Sequence, residues 1–319
     1  MKVVQLDRET LGYDIDTSVL ANFGEYEYYE SADVENSKEY IKDADVIVFN
    51  KTKMNEELLK DAQNLKFLAI TATGFDNIDL EYCKKRGIGA ANVKAYSTPA
   101  VAQHTFALAL YLLEKINYYD EFVKSGKYSS QSGFCNFDCL YTELEGKTWG
   151  IIGMGNIGKK VAKIAEAFGC NVIFYSASGN STCTDYERVE FDELLGRSDF
   201  LSIHCPLSDR TRGIMNMDAF KKMKKNAILI NVARGAIVND ADLAYALENN
   251  MIAGAGLDVL SKEPMEDNNP LGKIKDSTKL IITPHMAWAS VESRQRCLDE
   301  VYKNIEAFVE GKERNRLDI

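Results

Sequence analysis

The sequence of residues 149–169 is WGIIGMGNIGKKVAKIAEAFG, and this stretch determines the fold that we expect for the chain around it. It begins with an apolar run typical of a buried strand, and after the glycines its apolar residues recur at helical spacing. Gly153, Gly155 and Gly158 have the spacing of a dinucleotide-binding turn. A second apolar run, residues 172–175, follows directly. Because strand, turn, helix and strand occur in the required order, we interpret the stretch as a dinucleotide site and not as a structural turn.

Each glycine of this turn has its own expected role. Gly153 permits a tight turn off the strand, Gly155 lets the backbone approach a pyrophosphate, and Gly158 allows the helix to pack closely on the strand. The helix that opens at Asn156 and Ile157 directs free backbone N–H groups and the positive end of its dipole at the phosphates.

The composition limits the classes of protein and partner. At 319 residues with 45% hydrophobic residues, the chain is long enough for about two domains. A net charge of −10 argues against nucleic acid or an anionic membrane surface as the main partner. The chain has no apolar run of the roughly 20 residues that span a membrane and no apolar signal-peptide core, so we expect a cytoplasmic protein. The seven cysteines fit reduced thiols, and Cys135 and Cys139 lack the second pair that a zinc site needs, so no metal is expected.

Apolar runs and helical segments alternate along both halves, which indicates an α/β fold with two doubly wound, Rossmann-like parallel sheets. The strands expected in the first half are Val3–Leu6, Val46–Phe49, Phe67–Thr71 and Ile88–Val93. Those expected after the glycine turn are Val172–Tyr175, Phe200–His204, Ala227–Val232, Gly254–Val259 and Leu280–Thr283. A final helix, residues 290–310, is expected to return to the first domain. The substrate domain would therefore comprise residues 1–98 and 290–319, and the nucleotide-binding domain residues 99–289.

A long apolar helix is predicted after Thr98, which we expect to be its N-cap with proline next. Its run Ala100–Leu113 is almost entirely apolar, so the helix should be buried on most sides and should bridge the two domains. His104 in this helix fits a packed or interface histidine better than a catalytic one. Residues 127–145 should form a loop, and Asp240 should cap a later helix.

A short turn in the first half, residues 73–76, follows the carboxyl end of an expected strand, where open α/β sheets bind ligands. Gly74 there permits close approach of a ligand to the backbone, and exposed N–H groups could hold a carboxylate. An ordinary strand–helix turn explains the same residues, so the sequence pattern alone leaves both readings open.

Three strand ends in the second half each carry an ionisable residue: Arg234, Glu263 and His285. A carbonyl that accepts a hydride develops negative charge on oxygen, so its site needs a proton donor and a fixed cation. His285 can donate the proton, and a carboxylate from Glu263 can fix its tautomer and stabilise the protonated ring. Arg234 can bind a carboxylate in a bidentate way. Singly each residue is more often structural, but together they suit hydride transfer beside a nicotinamide.

At this point the chain resembles the D-2-hydroxyacid dehydrogenase family over essentially its whole length. The segments that carry the resemblance occur in the family's order and are TGFDNID, GMGNIG, HCPL, NVARG, GLDV, SKEP and TPH. The resemblance implies that Arg234, Glu263 and His285 are catalytic. It also implies that Gly74 and Phe75 belong to the loop that binds the substrate carboxylate and that Arg234 and His285 contact the substrate. Asp258 would contact the nicotinamide. The remaining cofactor contacts that it implies are Ser176, His204, Pro206, Thr211, Val232 and Arg234.

Within the family, VAQHTFALAL and HMAWAS look most like glycerate dehydrogenases, also called hydroxypyruvate reductases. This likeness implies a small 2-oxo acid as substrate, with Trp288 as a pocket wall or, equally, a packed hinge residue. It also implies a homodimer that buries the Ala100–Leu113 helix and the neighbouring loop. The alternatives keep the fold and change the anion, to phosphoglycerate, D-lactate, formate or phosphite, or make the chain a nucleotide-sensing corepressor. Because the sequence ends at Ile319, we do not expect the regulatory domain of many phosphoglycerate dehydrogenases.

The choice between NAD and NADP depends on the residue after the second strand of the nucleotide domain. An acidic residue there normally binds the ribose 2′-OH and repels a 2′-phosphate, but this chain has Ser176. No Arg or Lys that would select NADP occurs from Ser176 to Tyr186. The negative charge of Asp185 favours NAD, so we expect NAD(H) to be preferred by roughly ten- to thirtyfold, with NADP(H) possible.

Overall fold

The computed structural model describes residues 1–31 and 34–318. Contacts divide the chain into two compact units, one formed by Met1–Ser97 with Ala289–Ile319 and the other by Thr98–Trp288. Each boundary lies one residue before the expected position. The final segment belongs to the first unit, which is therefore built from both ends of the chain.

The helices and strands follow one another in alternation. The first 97 residues form β1 (Lys2–Gln5), β2 (Glu25–Tyr28), α1 (Val34–Tyr40), β3 (Val46–Phe49), α2 (Glu56–Leu59), β4 (Phe67–Ile70), α3 (Leu80–Arg86) and β5 (Gly89–Ala91). The second unit begins with α4 (Thr98–Leu113), α5 (Ile116–Lys124), α6 (Lys127–Ser130), β6 (Thr148–Ile152), α7 (Asn156–Ala167), β7 (Asn171–Tyr175), β8 (Glu187–Arg188) and α8 (Phe191–Arg197). It continues with β9 (Phe200–Ile203), α9 (Met217–Lys222), β10 (Ile228–Asn231), α10 (Asp240–Glu248), β11 (Gly254–Leu257) and β12 (Leu280–Ile282), and α11 (Val291–Val309) returns to the first unit.

The first unit contains a parallel sheet in the order β2-β1-β3-β4-β5. The central strands β3 and β4 are fully buried, as their apolar runs predict. Strand β2 was not expected, because its sequence EYEY is a half-exposed edge strand without an apolar run. Helix α11 packs against β4, where the rings of Phe67 and Phe308 stack 4.4 Å apart.

The second unit contains a parallel sheet in the order β12-β11-β10-β9-β6-β7-β8. Both sheets confirm the doubly wound α/β fold. Helix α4 packs against α7, β10 and β11 within this unit, and half of its side chains are buried there. In the part of the chain that the structure describes, no helix is both long and apolar enough to cross a lipid bilayer.

Two expected caps are wrong. Helix α10 is capped by Asn239, whose side chain accepts from the N–H groups of Ala241 and Asp242, whereas Asp240 lies in the first turn. Thr98 lies inside α4, and its buried hydroxyl has no hydrogen-bond partner among the described residues. In both cases the residue types were suitable, but the backbone enters the helix at a neighbouring position.

Candidate active site

The glycine turn after β6 has the geometry that a dinucleotide needs. Gly153 has a φ of +97°, and a Cβ there would lie 2.8 Å from the backbone nitrogen of Cys205. A Cβ on Gly158 would lie 2.2 Å from the carbonyl oxygen of Gly153, so α7 can pack this closely only with glycine. A Cβ on Gly155 would meet nothing within 4 Å, which leaves its backbone open to a ligand. Asn156 begins α7 directly behind this open position.

A cleft of about 750 Å³ lies beside the turn. The expected cofactor residues that line it are Gly153, Gly155, Ser176, His204, Pro206 and Thr211. Ile157 and Gly158 lie in the first turn of α7, and Val232 is buried just beyond β10. The Thr211 hydroxyl, itself buried, donates to the carbonyl of Pro206 at 2.8 Å and accepts from the N–H of Ser208 at 2.8 Å. Thr211 therefore fixes the loop that forms one wall of the cleft.

His204 is the polar group that stands out in this cleft. Both ring nitrogens are buried, and neither has a hydrogen-bond partner among the residues that the structure describes. Burial lowers the pKa of His204 to about 3, so the ring is neutral at physiological pH. A neutral imidazole without a partner has both a donor and an acceptor available, which suits a bound polar ligand. The cleft therefore fits a dinucleotide.

The three expected catalytic residues lie at the carboxyl ends of neighbouring strands. Strands β10, β11 and β12 are adjacent and parallel, so Arg234, Glu263 and His285 leave the same edge of the sheet. The Glu263 Oε2 atom lies 2.7 Å from Nδ1 of His285. The other oxygen of Glu263 accepts from the backbone N–H of Leu260 at 3.0 Å. This pairing orients the imidazole and leaves Nε2 for chemistry.

Arg234 follows β10 in a turn that contacts the segment leading to Glu263. A Cβ on Gly235 would lie 1.8 Å from the carbonyl carbon of Leu260, so glycine allows the two backbones to approach. The Arg234 guanidinium donates to the carbonyl of Ala233 at 2.8 Å, and the Asn231 side chain donates to the carbonyl of Arg234 at 3.0 Å. The turn is thus fixed by local hydrogen bonds.

Asp258 holds the loop that carries His285. Its buried carboxylate accepts from the N–H groups of Met286 at 2.7 Å and Ala287 at 2.8 Å, and from the Thr283 hydroxyl at 2.6 Å. The Thr283 hydroxyl also lies 2.9 Å from Nε2 of His104. His104 is therefore a hydrogen-bonded, packed histidine. The contact of Asp258 with a nicotinamide stays a prediction.

The expected substrate residues outside this group are Gly74, Phe75 and Trp288. Gly74 and Phe75 lie in the first unit, in a turn after β4 where the N–H of Ile78 donates to the carbonyl of Phe75 at 3.0 Å. The Phe75 side chain is 38% exposed. Trp288 is partly buried against the apolar core of the second unit. The substrate roles of all three stay predictions.

Sequence reasoning missed several polar residues at the site, and three of them matter most for its chemistry. Thr283 connects His104 to Asp258, and Lys159 and Arg210 line the nucleotide cleft. A hydroxyl before the TPH proline could have suggested Thr283. No local pattern distinguishes Lys159 or Arg210 from the other surface cations.

Comparisons with known proteins agree with this geometry. Residues 106–287 match the family described as "D-isomer specific 2-hydroxyacid dehydrogenase, NAD binding domain". The chain is 38% identical to the hydroxypyruvate reductase of Blautia hydrogenotrophica and 39% identical to the glycerate dehydrogenase of Methylorubrum extorquens, over 98% of each chain in both cases. A solved structure of an acyclic imino acid reductase, Bsp5, in complex with NADPH and D-Arg superimposes with a TM-score of 0.88. That match has 30% identity and covers 99% of this chain and 100% of the other.

The matched residues contain the glycine turn, the cleft and all three of Arg234, Glu263 and His285. The two curated relatives match over nearly the full length, so the likeness also covers the first unit. The chain therefore belongs to the D-isomer specific 2-hydroxyacid dehydrogenase family and is an NAD-dependent oxidoreductase.

Proposed function

We propose that this enzyme reduces a small, polar 2-oxo acid to the D-2-hydroxy acid, with hydroxypyruvate as the first substrate and glyoxylate as the second. The observation that carries the proposal is the 2.7 Å contact between Glu263 and His285, on strand ends next to that of Arg234. The names of the two curated relatives, hydroxypyruvate reductase and glycerate dehydrogenase, support the same substrate class.

In the proposed mechanism, the glycine turn and the start of α7 would hold NADH in the cleft, and the cofactor would supply the hydride for the carbonyl carbon. His285 donates a proton from Nε2 to the carbonyl oxygen, so that the C=O group becomes CH–OH. Glu263 holds the ring by Nδ1 and stabilises its positive charge before the transfer. Arg234 binds the substrate carboxylate and polarises the carbonyl, because its guanidinium presents paired donors to oxygens. Gly74 and Phe75 contribute further carboxylate contacts in this proposal.

The cofactor in this proposal is NAD(H), with NADP(H) also accepted. Ser176 follows β7 at the position of the usual acidic residue, and its side chain is 6% exposed. Its hydroxyl accepts from the N–H of Ser181 at 3.3 Å and carries no charge, so nothing at this position repels a 2′-phosphate. The Bsp5 structure is a complex with NADPH, which supports acceptance of NADP(H) in this fold.

A homodimer is also proposed, centred on the loop that follows α4 and not on α4 itself, although both were expected to contribute. The apolar side chains of α4 are largely buried within their own unit, so that helix has little apolar surface left for a partner. The segment that follows it has a series of exposed apolar side chains. Those with the largest exposure are Phe134 at 86%, Phe137 at 76% and Leu140 at 76%. Since monomers rarely expose such clusters, residues 134–140 are the proposed centre of the contact with a second copy.

The proposal is tested by assaying a panel of 2-oxo acids with NADH and NADPH and by determining the configuration of each product. Hydroxypyruvate should have the highest kcat/KM and should yield D-glycerate. Higher kcat/KM for branched or aromatic 2-oxo acids would contradict the proposed preference for small substrates. It would also show that Trp288 does not limit the size of the substrate side chain. An L-product would contradict the mechanism. Nucleotide binding without turnover of any 2-oxo acid, formate or phosphite would favour a nucleotide-sensing protein instead.

A further inference from the structure

Two cations, Lys159 and Arg210, line the nucleotide cleft, and Arg210 contacts the loop after β7. Lys159 lies in the first half of α7, and Arg210 lies in the loop after β9. Arg210 donates from Nη1 to the carbonyl of Ser178 at 3.4 Å. Both side chains belong to exposed residues, and within residues 1–31 and 34–318 neither forms an ion pair with a carboxylate. Their charges are therefore available to a ligand.

The loop itself contributes hydroxyl groups and no negative charge. Residues 176–184 contain four serines or threonines that line the cleft and no Asp or Glu. Asp185, on which the expected preference for NAD rested, is exposed and is not among the residues that line the cleft. Asp209 is the acid that lines it, so the two cations leave a positive balance.

The position of Arg210 places it near the expected site of the adenosine ribose 2′ group. In this fold the residue after the second strand binds the ribose 2′-OH, and here that residue is Ser176. Ser178 is two residues further along the same loop, and its carbonyl accepts from Arg210. The guanidinium therefore lies beside the expected ribose edge, although it comes from a different loop.

We propose that Arg210, assisted by Lys159, forms a phosphate-monoester subsite that binds the 2′-phosphate of NADP(H). The inference rests on the nucleotide site of the proposed function and refines its cofactor choice. An arginine presents a planar fork of donors that matches phosphate oxygens, and serine hydroxyls add further donors. The subsite takes the place of the basic residue that the loop after β7 lacks. The ratio of kcat/KM for NADH to that for NADPH should therefore be less than about tenfold, below the value expected from Ser176 and Asp185.

The subsite is tested first by binding, without any reaction. Isothermal titration of the apo protein with 5′-AMP and with 2′,5′-ADP compares two probes that differ only in the 2′-phosphate. The wild-type protein should bind 2′,5′-ADP at least as tightly as 5′-AMP. Arg210→Ala should weaken 2′,5′-ADP relative to 5′-AMP by about tenfold, which corresponds to 1.4 kcal/mol. Arg210→Glu should weaken 2′,5′-ADP relative to 5′-AMP still further, because the carboxylate repels the 2′-phosphate.

Arg188 provides a matched control. It donates to the carbonyl of Gly179 at 3.1 Å and so contacts the same loop, but it does not line the cleft. Arg188→Ala should leave the ratio of the two dissociation constants at the wild-type value. An equal change in the ratio for Arg188→Ala and Arg210→Ala, or wild-type binding of 2′,5′-ADP far weaker than that of 5′-AMP, would overturn the inference.

Kinetics then separate this inference from the proposed function. In Arg210→Ala the ratio of kcat/KM for NADPH to that for NADH should fall by about tenfold, in parallel with the binding ratio. If no 2-oxo acid is turned over while 2′,5′-ADP binding still depends on Arg210, the proposed reaction fails and the subsite stands. If turnover is normal and the ratio of kcat/KM for NADPH to that for NADH is the same in Arg210→Ala as in wild type, the proposed subsite is wrong and the proposed reaction stands.

Discussion

The backbone N–H of His285 donates to the carbonyl of Asp258 at 2.9 Å, and the Asp258 carboxylate binds the N–H groups of the two residues that follow His285. His285 has a φ of +57°, in the left-handed region that a histidine seldom occupies. Such a conformation persists only where its surroundings impose it. Asp258 is thus the residue that fixes the backbone of His285, through a buried carboxylate rather than through contact with the ring.

Asp258→Asn should release this loop, because an amide supplies one acceptor oxygen in place of two and turns a donor toward backbone N–H groups. We expect kcat to fall by at least tenfold and the free energy of unfolding to fall by about 1–3 kcal/mol. Hydrogen exchange of the Met286 and Ala287 amides should accelerate. A fall in kcat with unchanged exchange at these two amides would show that Asp258 acts in another way, such as through the nicotinamide.

His285→Ala should lower kcat by roughly 10²–10⁴-fold, because the lost imidazole acts where charge develops on the carbonyl oxygen. The dissociation constant for NADH, measured by fluorescence titration, should stay near the wild-type value. Arg234→Ala is the comparison variant, and it should raise KM for the 2-oxo acid as well as lower kcat, since Arg234 binds the carboxylate before and during the reaction. Wild-type turnover of His285→Ala at every pH would exclude the proposed proton donor.

Alanine at two glycines of the turn should separate folding from nucleotide binding. The Cβ of Gly155→Ala would meet open space, so the free energy of unfolding of this variant should change by about 1 kcal/mol or less. The new methyl group should nevertheless weaken NADH binding. Gly158→Ala places a Cβ 2.2 Å from the Gly153 carbonyl oxygen and should lower the stability by about 1–3 kcal/mol. Urea denaturation and NADH titration of both variants check this. NADH binding by Gly155→Ala as tight as wild type would contradict the expected approach of the phosphates.

His204 should make the apo protein sensitive to acid. Burial lowers its pKa from 6.5 to about 3, so between these values the unfolded chain binds a proton that the folded chain excludes. The folded state therefore has its full free energy of unfolding, as far as His204 is concerned, above pH 6.5, and it loses part of that free energy as the pH falls below this value. From pH 7.5 to pH 5 the wild-type protein should lose about 2 kcal/mol more than His204→Gln does. Urea denaturation at both pH values, at one protein concentration, measures the difference, and equal losses would contradict a neutral buried ring.

Charged substitutions at residues 134–140 test the proposed dimer surface. Phe134→Asp combined with Leu140→Asp should weaken self-association by roughly a hundredfold, because buried aromatic and aliphatic anchors dominate such contacts. Tyr13→Asp is the control, since Tyr13 is 75% exposed but lies in the other unit. Sedimentation at micromolar concentration should show a dimer for wild type and for the control. A wild-type monomer would remove the proposal.

Much of the fold could be predicted because its signals are local. The buried strands β3, β4 and β9 have continuous apolar runs, and Gly153, Gly155 and Gly158 follow an apolar run at the short spacing of a dinucleotide turn. The edge strands β2 and β8 were missed, because β2 is half-exposed and β8 is exposed, and such strands need no apolar run. The caps of α4 and α10 were misplaced by one residue for a related reason, since several neighbouring residues suit the same cap.

By itself, the sequence determined the two doubly wound units, the dinucleotide turn and the set Arg234, Glu263 and His285, because parallel strands bring their carboxyl ends to one edge whatever the loops do. Only the tertiary structure decided which groups surround that set. Asp258 and Thr283 meet through strand order, and Arg210 reaches the loop of Ser178 although 32 positions separate them. Likewise, packing buried α4 and left residues 134–140 exposed. Contacts of this kind depend on the path of whole loops and on the neighbours that each element acquires, and no local spacing encodes them.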